Sequence, residues 1–126
     1  MNVVDSSAWL EYFADGPNAT FFARVIETPQ RLIVPTISLF EVFKRVLVQR
    51  DEGAALQAVA IMGQGRIIDL DTPLALAAAK LSVELRLPMA DSLMLATAKQ
   101  FDAVLWTQDA DFKDLPNVKF KAARKS

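Results

Sequence analysis

NVVDSSAWLEYFA, residues 2–14, decides how the rest of the chain is read. Val3 and Val4 begin a short apolar run that reads as a buried strand. Asp5 closes that run, and a helix is expected from about Ser7 to Ala14. A strand that turns straight into a helix is the first half of a βα unit. Asp15-Gly16-Pro17 breaks the helix.

The same alternation continues downstream. Asn18 can cap a second helix, whose apolar positions Phe21, Phe22, Val25 and Ile26 keep helical spacing. Residues 32–34 (LIV) read as a strand ending at Pro35, and residues 37–50 as a helix with one stripe of Leu39, Val42, Phe43, Val46 and Leu47. Helix continues over 54–62 until Gly63 and Gly65, and 66–70 (RIIDL) reads as a strand. Thr72 can cap a helix with Pro73 at its first position, burying Leu74, Ala77, Ala78, Leu81 and Leu85. A further helix over 89–101, a strand over 103–107 and an edge strand over 118–121 complete the pattern. Strands alternating with helices imply an α/β domain with a mostly parallel sheet, here one domain across 1–126.

Composition narrows the chemistry. The chain has 126 residues, a hydrophobic content of 52% and a net charge of −1, so it folds around a core and has no global attraction for nucleic acid. Charges interrupt every apolar stretch well before the ~18 residues of a membrane span. The start has an acid at position 5 and no basic run, so no signal peptide is expected, and a cytoplasmic location is. The chain contains neither histidine nor cysteine. Ser-His-Asp and Cys-His catalysis are thereby excluded, and the usual zinc, haem and iron–sulfur ligand sets are absent. Carboxylates are left as the chemical groups of first interest.

In parallel sheets, ligands bind beyond the carboxyl ends of the strands. Asp5 follows the first strand, Asp109 follows the strand at 103–107, Asp91 opens the helix at 89–101, and Glu41 lies early in the helix at 37–50. Each has an ordinary explanation. Asp5 can cap the helix after it, Asp91 can be a cap or a first-turn acid, and Ser38-Leu39-Phe40-Glu41 matches a capping box. Asp15, Glu27, Asp51, Glu52, Glu84, Asp102 and Asp114 fall in turns, at helix ends or on polar faces. Asp69-Leu70-Asp71 is a second D-x-D, but the Thr72-Pro73 helix start explains Asp71 as cap chemistry.

Capping alone does not explain why Asp5, Glu41, Asp91 and Asp109 converge on one sheet edge. Clustered carboxylates repel and raise one another's pKa values, and such a set persists if cations occupy it. Oxygen ligands suit Mg²⁺ or Mn²⁺, which can activate water for phosphodiester hydrolysis without a histidine base. The Ser6 and Thr107 hydroxyls flank two of the acids.

VVDSSAWLEYF, ISLFEVFKRV, LPMADSLMLATA and LWTQDADF occur in this order along the chain. In these motifs the chain resembles the PIN-domain ribonucleases, in particular the VapC-type toxins of toxin–antitoxin pairs. The resemblance implies a three-layer α/β/α fold and an acidic quartet of Asp5, Glu41, Asp91 and Asp109 holding one or two Mg²⁺ or Mn²⁺ ions. It makes Asp111 a less constant fifth acid, with Ser6 and Thr107 as polar supporters. It further implies cleavage of single-stranded or looped RNA, a homodimer, and a cognate antitoxin that lays a segment in a groove near the site. The surroundings of Glu41, FEVFKRV, give no indication of the substrate.

Ile37, Phe40 and Val48 lie away from the main stripe of their helix, as further core or as a docking face. Lys44 and Arg45, together with the basic tail at 119–126, are candidate RNA or partner contacts. Two other readings stay open: a receiver-like phosphoacceptor, and an interaction module whose acids are only caps. A receiver would carry an acidic pair after the first strand and a lysine after a late one.

Overall fold

Val3 and Val4 face opposite sides of one sheet, and each belongs to a different core. This is the period-2 alternation of a strand buried on both faces. In the computed structural model, which describes residues 1–124, five strands form the sheet: β1 (Asn2–Val4), β2 (Leu32–Pro35), β3 (Arg66–Ile68), β4 (Val104–Thr107) and β5 (Val118–Phe120). Their spatial order is β3-β2-β1-β4-β5, and every neighbouring pair is parallel.

Six α-helices cover the sheet: α1 (Ser6–Phe13), α2 (Ala19–Ile26), α3 (Thr36–Gln49), α4 (Glu52–Met62), α5 (Thr72–Leu85) and α6 (Met89–Gln100). One core joins Val4, Leu32 and Val34 to Trp9, Phe22, Val42 and Met62 from the first four helices. The opposite core joins Val3, Ile33 and Leu105 to Leu95 and Ala98 of α6. Helix α5 packs outside α6 through Leu74 and Ala78 on Leu93 and Ala96. The architecture is three-layer α/β/α, and α6 is its central helix, buried without interruption from Ser92 to Ala98.

The strand order puts the switch point between β1 and β4. From β1 the chain steps outward through β2 to β3, then returns to the other flank for β4 and β5. Open parallel sheets leave a crevice at that point, outside the carboxyl ends of the two strands.

Several local expectations are corrected. Asp71, not Thr72, caps α5, its carboxylate accepting the Leu74 N–H at 2.9 Å. Asn18 sits at the start of α2 without capping it. Ser38 lies inside α3, which starts at Thr36, so no capping box forms there. Its hydroxyl instead contacts Met94 Sδ at 3.6 Å. Helices α3 and α4 are separate, because Asp51 caps α4 by accepting the Ala54 N–H. Ala77, Leu85 and Leu47 are exposed. For α5 the reason is that only one narrow stripe meets α6. The turn assignments of Asp15 and Asp102 hold, both with positive φ just past helix ends. Of the basic tail at 119–126, positions 125 and 126 lie outside the described residues.

Candidate active site

Asp5 follows β1 and occupies the N-cap position of α1, yet its side chain makes no capping hydrogen bond. Its backbone N–H bonds the Trp106 carbonyl at 2.9 Å, carrying the β1–β4 ladder one residue further. The carboxylate is only 2% exposed and accepts two hydroxyls, Ser7 Oγ at 2.6 Å and Thr107 Oγ1 at 2.8 Å. Burial pushes its pKa up, and the Ser7 and Thr107 hydroxyls partly oppose that rise.

Glu41 reaches the same crevice from the second turn of α3. Ser6 Oγ donates to Glu41 Oε1 at 2.6 Å. The adjacent serines therefore divide the work: Ser6 holds Glu41, and Ser7 holds Asp5.

Asp91 enters from the first turn of α6, half-buried, with no side-chain hydrogen bond among the described residues. Its pKa rises from 3.8 to about 7, first through burial and then through the charges of Asp5, Asp109, Asp111 and Glu41. A carboxyl group that is sensitive to all four of those acids lies at the centre of the cluster.

Asp109 follows β4 and opens a one-turn 3-10 helix, Ala110–Phe112. Its N–H donates to Thr107 Oγ1 at 2.9 Å, and its Oδ1 accepts the Asp111 N–H at 2.9 Å. Phe112, fully buried, anchors that turn in the core. Thr107 is fully buried as well, and its hydroxyl fixes Asp5 and Asp109 together.

Among the described residues, Asp91, Asp109 and Asp111 each offer one carboxylate oxygen within 4.8 Å of the others. Asp5 and Glu41 lie outside that tight group but within electrostatic range of Asp91. Asp111 thus stands with Asp91 and Asp109, closer than its place in a turn suggests. An all-oxygen donor set with mutually repelling charges fits a hard divalent cation.

Lys44 and Arg45 part company. Lys44 lies 5.8 Å from the Phe40 ring centroid, on an apolar groove shared by Leu39, Phe43, Leu47 and Val59. Arg45 lines a different cleft, together with Ser7 and Gln108. Residues that attracted no expectation also matter here. Ser7 is one, and the repeated hydroxyl after Asp5 was its signal. Glu11 is another, and Asn18, expected only as a helix cap, is a third; nothing local in the sequence announces their contacts.

The family model described as PIN domain matches residues 3–118. The chain belongs to the PIN domain family. Among solved structures, this PIN domain is similar to a toxin–antitoxin complex from Klebsiella pneumoniae, with 21% identity over 94% of this chain and 96% of that one, at a TM-score of 0.79. It is also similar to VapC20 of Mycobacterium tuberculosis, a sarcin–ricin loop cleaving toxin, with 19% identity over 92% and 95% of the two chains and a TM-score of 0.77. A third similar structure is VapBC2 from Rickettsia felis bound to a promoter DNA fragment, with 16% identity over 96% and 97% of the chains and a TM-score of 0.73. At these identities the likeness is one of fold. No curated protein sequence matches this PIN domain significantly. No helix of the described residues is long and apolar enough to cross a membrane.

Proposed function

We propose that this PIN domain is a divalent-metal-dependent endoribonuclease and the toxin of a toxin–antitoxin pair, acting in the cytoplasm. The observation that carries this reading is the convergence of Asp91, Asp109 and Asp111 within 4.8 Å at the mouth of the β1–β4 crevice, with the buried Asp5 tied to Asp109 through Thr107. Asp5, Glu41, Asp91 and Asp109, with Asp111 beside them, would hold one or two Mg²⁺ or Mn²⁺ ions. When bound, the ion supplies an activated water and neutralises charge on the phosphate.

The chain's own groups do the positioning. Ser7 and Thr107 hold the Asp5 carboxylate, Ser6 holds Glu41, and Thr107 ties the backbone of Asp109 to Asp5. Such outer hydrogen bonds orient ligand oxygens before an ion arrives. Asp5 and Glu41 accept side-chain hydroxyls and cap no helix, which weighs against the reading of these acids as caps. Against a receiver-like phosphoacceptor stands the single acid after β1.

Partner surfaces are available for an antitoxin and for a second copy of the chain. Phe40 and Val48 on α3 are 62% and 77% exposed, and Leu76 and Val83 on α5 are 67% and 82% exposed. The test is cleavage of single-stranded and looped RNA by purified protein with Mg²⁺ or Mn²⁺, against EDTA and against Asp5→Asn and Asp91→Asn. Metal-dependent cutting that both substitutions remove is expected. Cutting that survives both, or none with any metal, overturns the reading.

A further inference from the structure

A cleft of about 450 Å³ opens between α1, α3 and α4, with Ser7 and Gln108 on its rim. Ser7 Oγ is bonded to Asp5, and Gln108 directly precedes Asp109, so the cleft adjoins the acidic cluster. Leu10, Phe13 and Val46 give it apolar walls. Small-ligand sites have this character, apolar walls with a few fixed polar groups.

The polar groups are fixed by one buried residue. Asn18 is 1% exposed, and its Nδ2 donates to Gln108 Oε1 at 3.1 Å and to the Ala122 carbonyl at 2.9 Å. The Ala122 carbonyl can only accept, and so defines which end of the Asn18 amide is nitrogen. Gln108 therefore turns its oxygen towards Asn18, leaving its amide N–H groups as donors for a ligand. The backbone N–H of the same Asn18 donates to Glu11 Oε2 at 2.7 Å. Glu11 packs against Gly16, where a Cβ would collide with its carboxylate. One buried asparagine thus presets a donor, Gln108, and an acceptor, Glu11, both on the cleft lining.

We infer that this cleft is a base subsite, taking one unstacked nucleobase next to the scissile phosphate, with Gln108 and Glu11 reading its edge. The inference rests on the ribonuclease reading above. Nucleobase edges carry donors and acceptors side by side, which an amide and a carboxylate together satisfy. A phosphate offers only acceptors and would be repelled by Glu11. Sequence preference in RNA recognition comes from splayed single-stranded bases held against aromatic or guanidinium planes. Phe13 and Arg45 line this cleft and supply one of each.

The experiment is Mn²⁺-dependent cleavage of an RNA library with randomised loop positions, using wild type, Gln108→Leu, Gln108→Glu and Glu11→Gln. Equilibrium binding of a labelled loop RNA in EDTA is measured alongside, and Mn²⁺ affinity for each variant. Wild type is expected to prefer one base beside the cut. Gln108→Leu and Glu11→Gln flatten that preference and weaken binding of the preferred RNA about tenfold, the scale of one lost hydrogen bond. Gln108→Glu keeps the bond from Asn18 and changes which base is preferred. Mn²⁺ affinity stays the same in Gln108→Leu, which changes no charge. An RNA-cutting wild type without a base preference overturns the subsite, as does a preference unaltered in every variant, which leaves the cleft to a protein segment. A wild type that cuts no RNA overturns the ribonuclease reading and the subsite with it.

Discussion

The Thr107 hydroxyl donates to the buried carboxylate of Asp5 across 2.8 Å, joining residues 102 positions apart. The same oxygen accepts the Asp109 N–H, so it ties together the ends of the two strands that flank the switch point. Thr107→Val removes that oxygen while keeping the shape. It is expected to lower metal affinity about 10- to 100-fold, the usual effect of losing an outer hydrogen bond to a ligand. Stability is expected to fall by about 1–3 kcal/mol, since Asp5 stays buried with one donor fewer. Thr107→Ser, which retains the hydroxyl, should recover most of both. Mn²⁺ titration and thermal melting of the two variants check this, and equal losses in both would refute it.

Asp91 makes the metal-free protein sensitive to pH in a defined direction. Its pKa lies near 7 in the fold and at 3.8 ordinarily, so between these values the folded state binds more protons than the unfolded one. Stability of the metal-free protein therefore falls as pH rises from about 4 to about 7. Asp91→Asn removes the repelling charge without breaking any side-chain hydrogen bond, so in EDTA at pH 8 the variant should melt above wild type while having no activity. Towards pH 4, where the unfolded state also takes up the proton, the two melting temperatures should converge. Mg²⁺ should raise the melting temperature of wild type more at pH 8 than at pH 5. Melts in which EDTA-treated Asp91→Asn is no more stable than wild type at pH 8 would contradict the repulsion.

Much of this arrangement can be read from the sequence, because strand and helix periods are local signals. The parallel α/β pattern, the buried α6 and the positions of Asp5, Glu41, Asp91 and Asp109 on helix starts or strand ends all follow from such periods. The caps of α2, α3 and α5 are not legible in the sequence, because several Ser, Thr, Asn and Asp residues near a helix start satisfy the same local rule. Tertiary contacts then choose among them: Asn18 is drawn to Gln108 and Ala122, and Ser38 to Met94. The exposed faces of Leu47, Ala77 and Leu85 were equally invisible, since helical spacing does not tell how wide the facing helix is. The division of Ser6 and Ser7 between Glu41 and Asp5 depends on a contact spanning 35 residues, beyond any local pattern.

Asp109 and Asp111 are expected to differ in degree. Both carboxylates join Asp91 within the tight group, but Asp109 is half-buried and braced by Thr107, whereas Asp111 is exposed on the 3-10 turn. Asp109→Asn should bring cleavage to background. Asp111→Asn should leave measurable cleavage that higher Mn²⁺ concentrations restore, because an exposed ligand can be replaced by water. Cleavage rates across a metal titration distinguish the two, and identical curves would put Asp111 on equal footing with Asp109.

The second D-x-D serves as an internal control. Asp71 caps α5 through its 2.9 Å bond from the Leu74 N–H, and Asp69 is exposed before it. Neither is among the acids that perturb Asp91. Asp71→Ala should cost about 1 kcal/mol of stability, the typical loss for an N-cap, and leave cleavage unchanged at temperatures well below melting. Asp69→Asn should change neither quantity beyond about 0.5 kcal/mol. Chemical denaturation and cleavage assays on the same preparations decide the matter. A loss of activity in either variant without a matching loss of stability would mean that the reacting carboxylates extend beyond the crevice between β1 and β4.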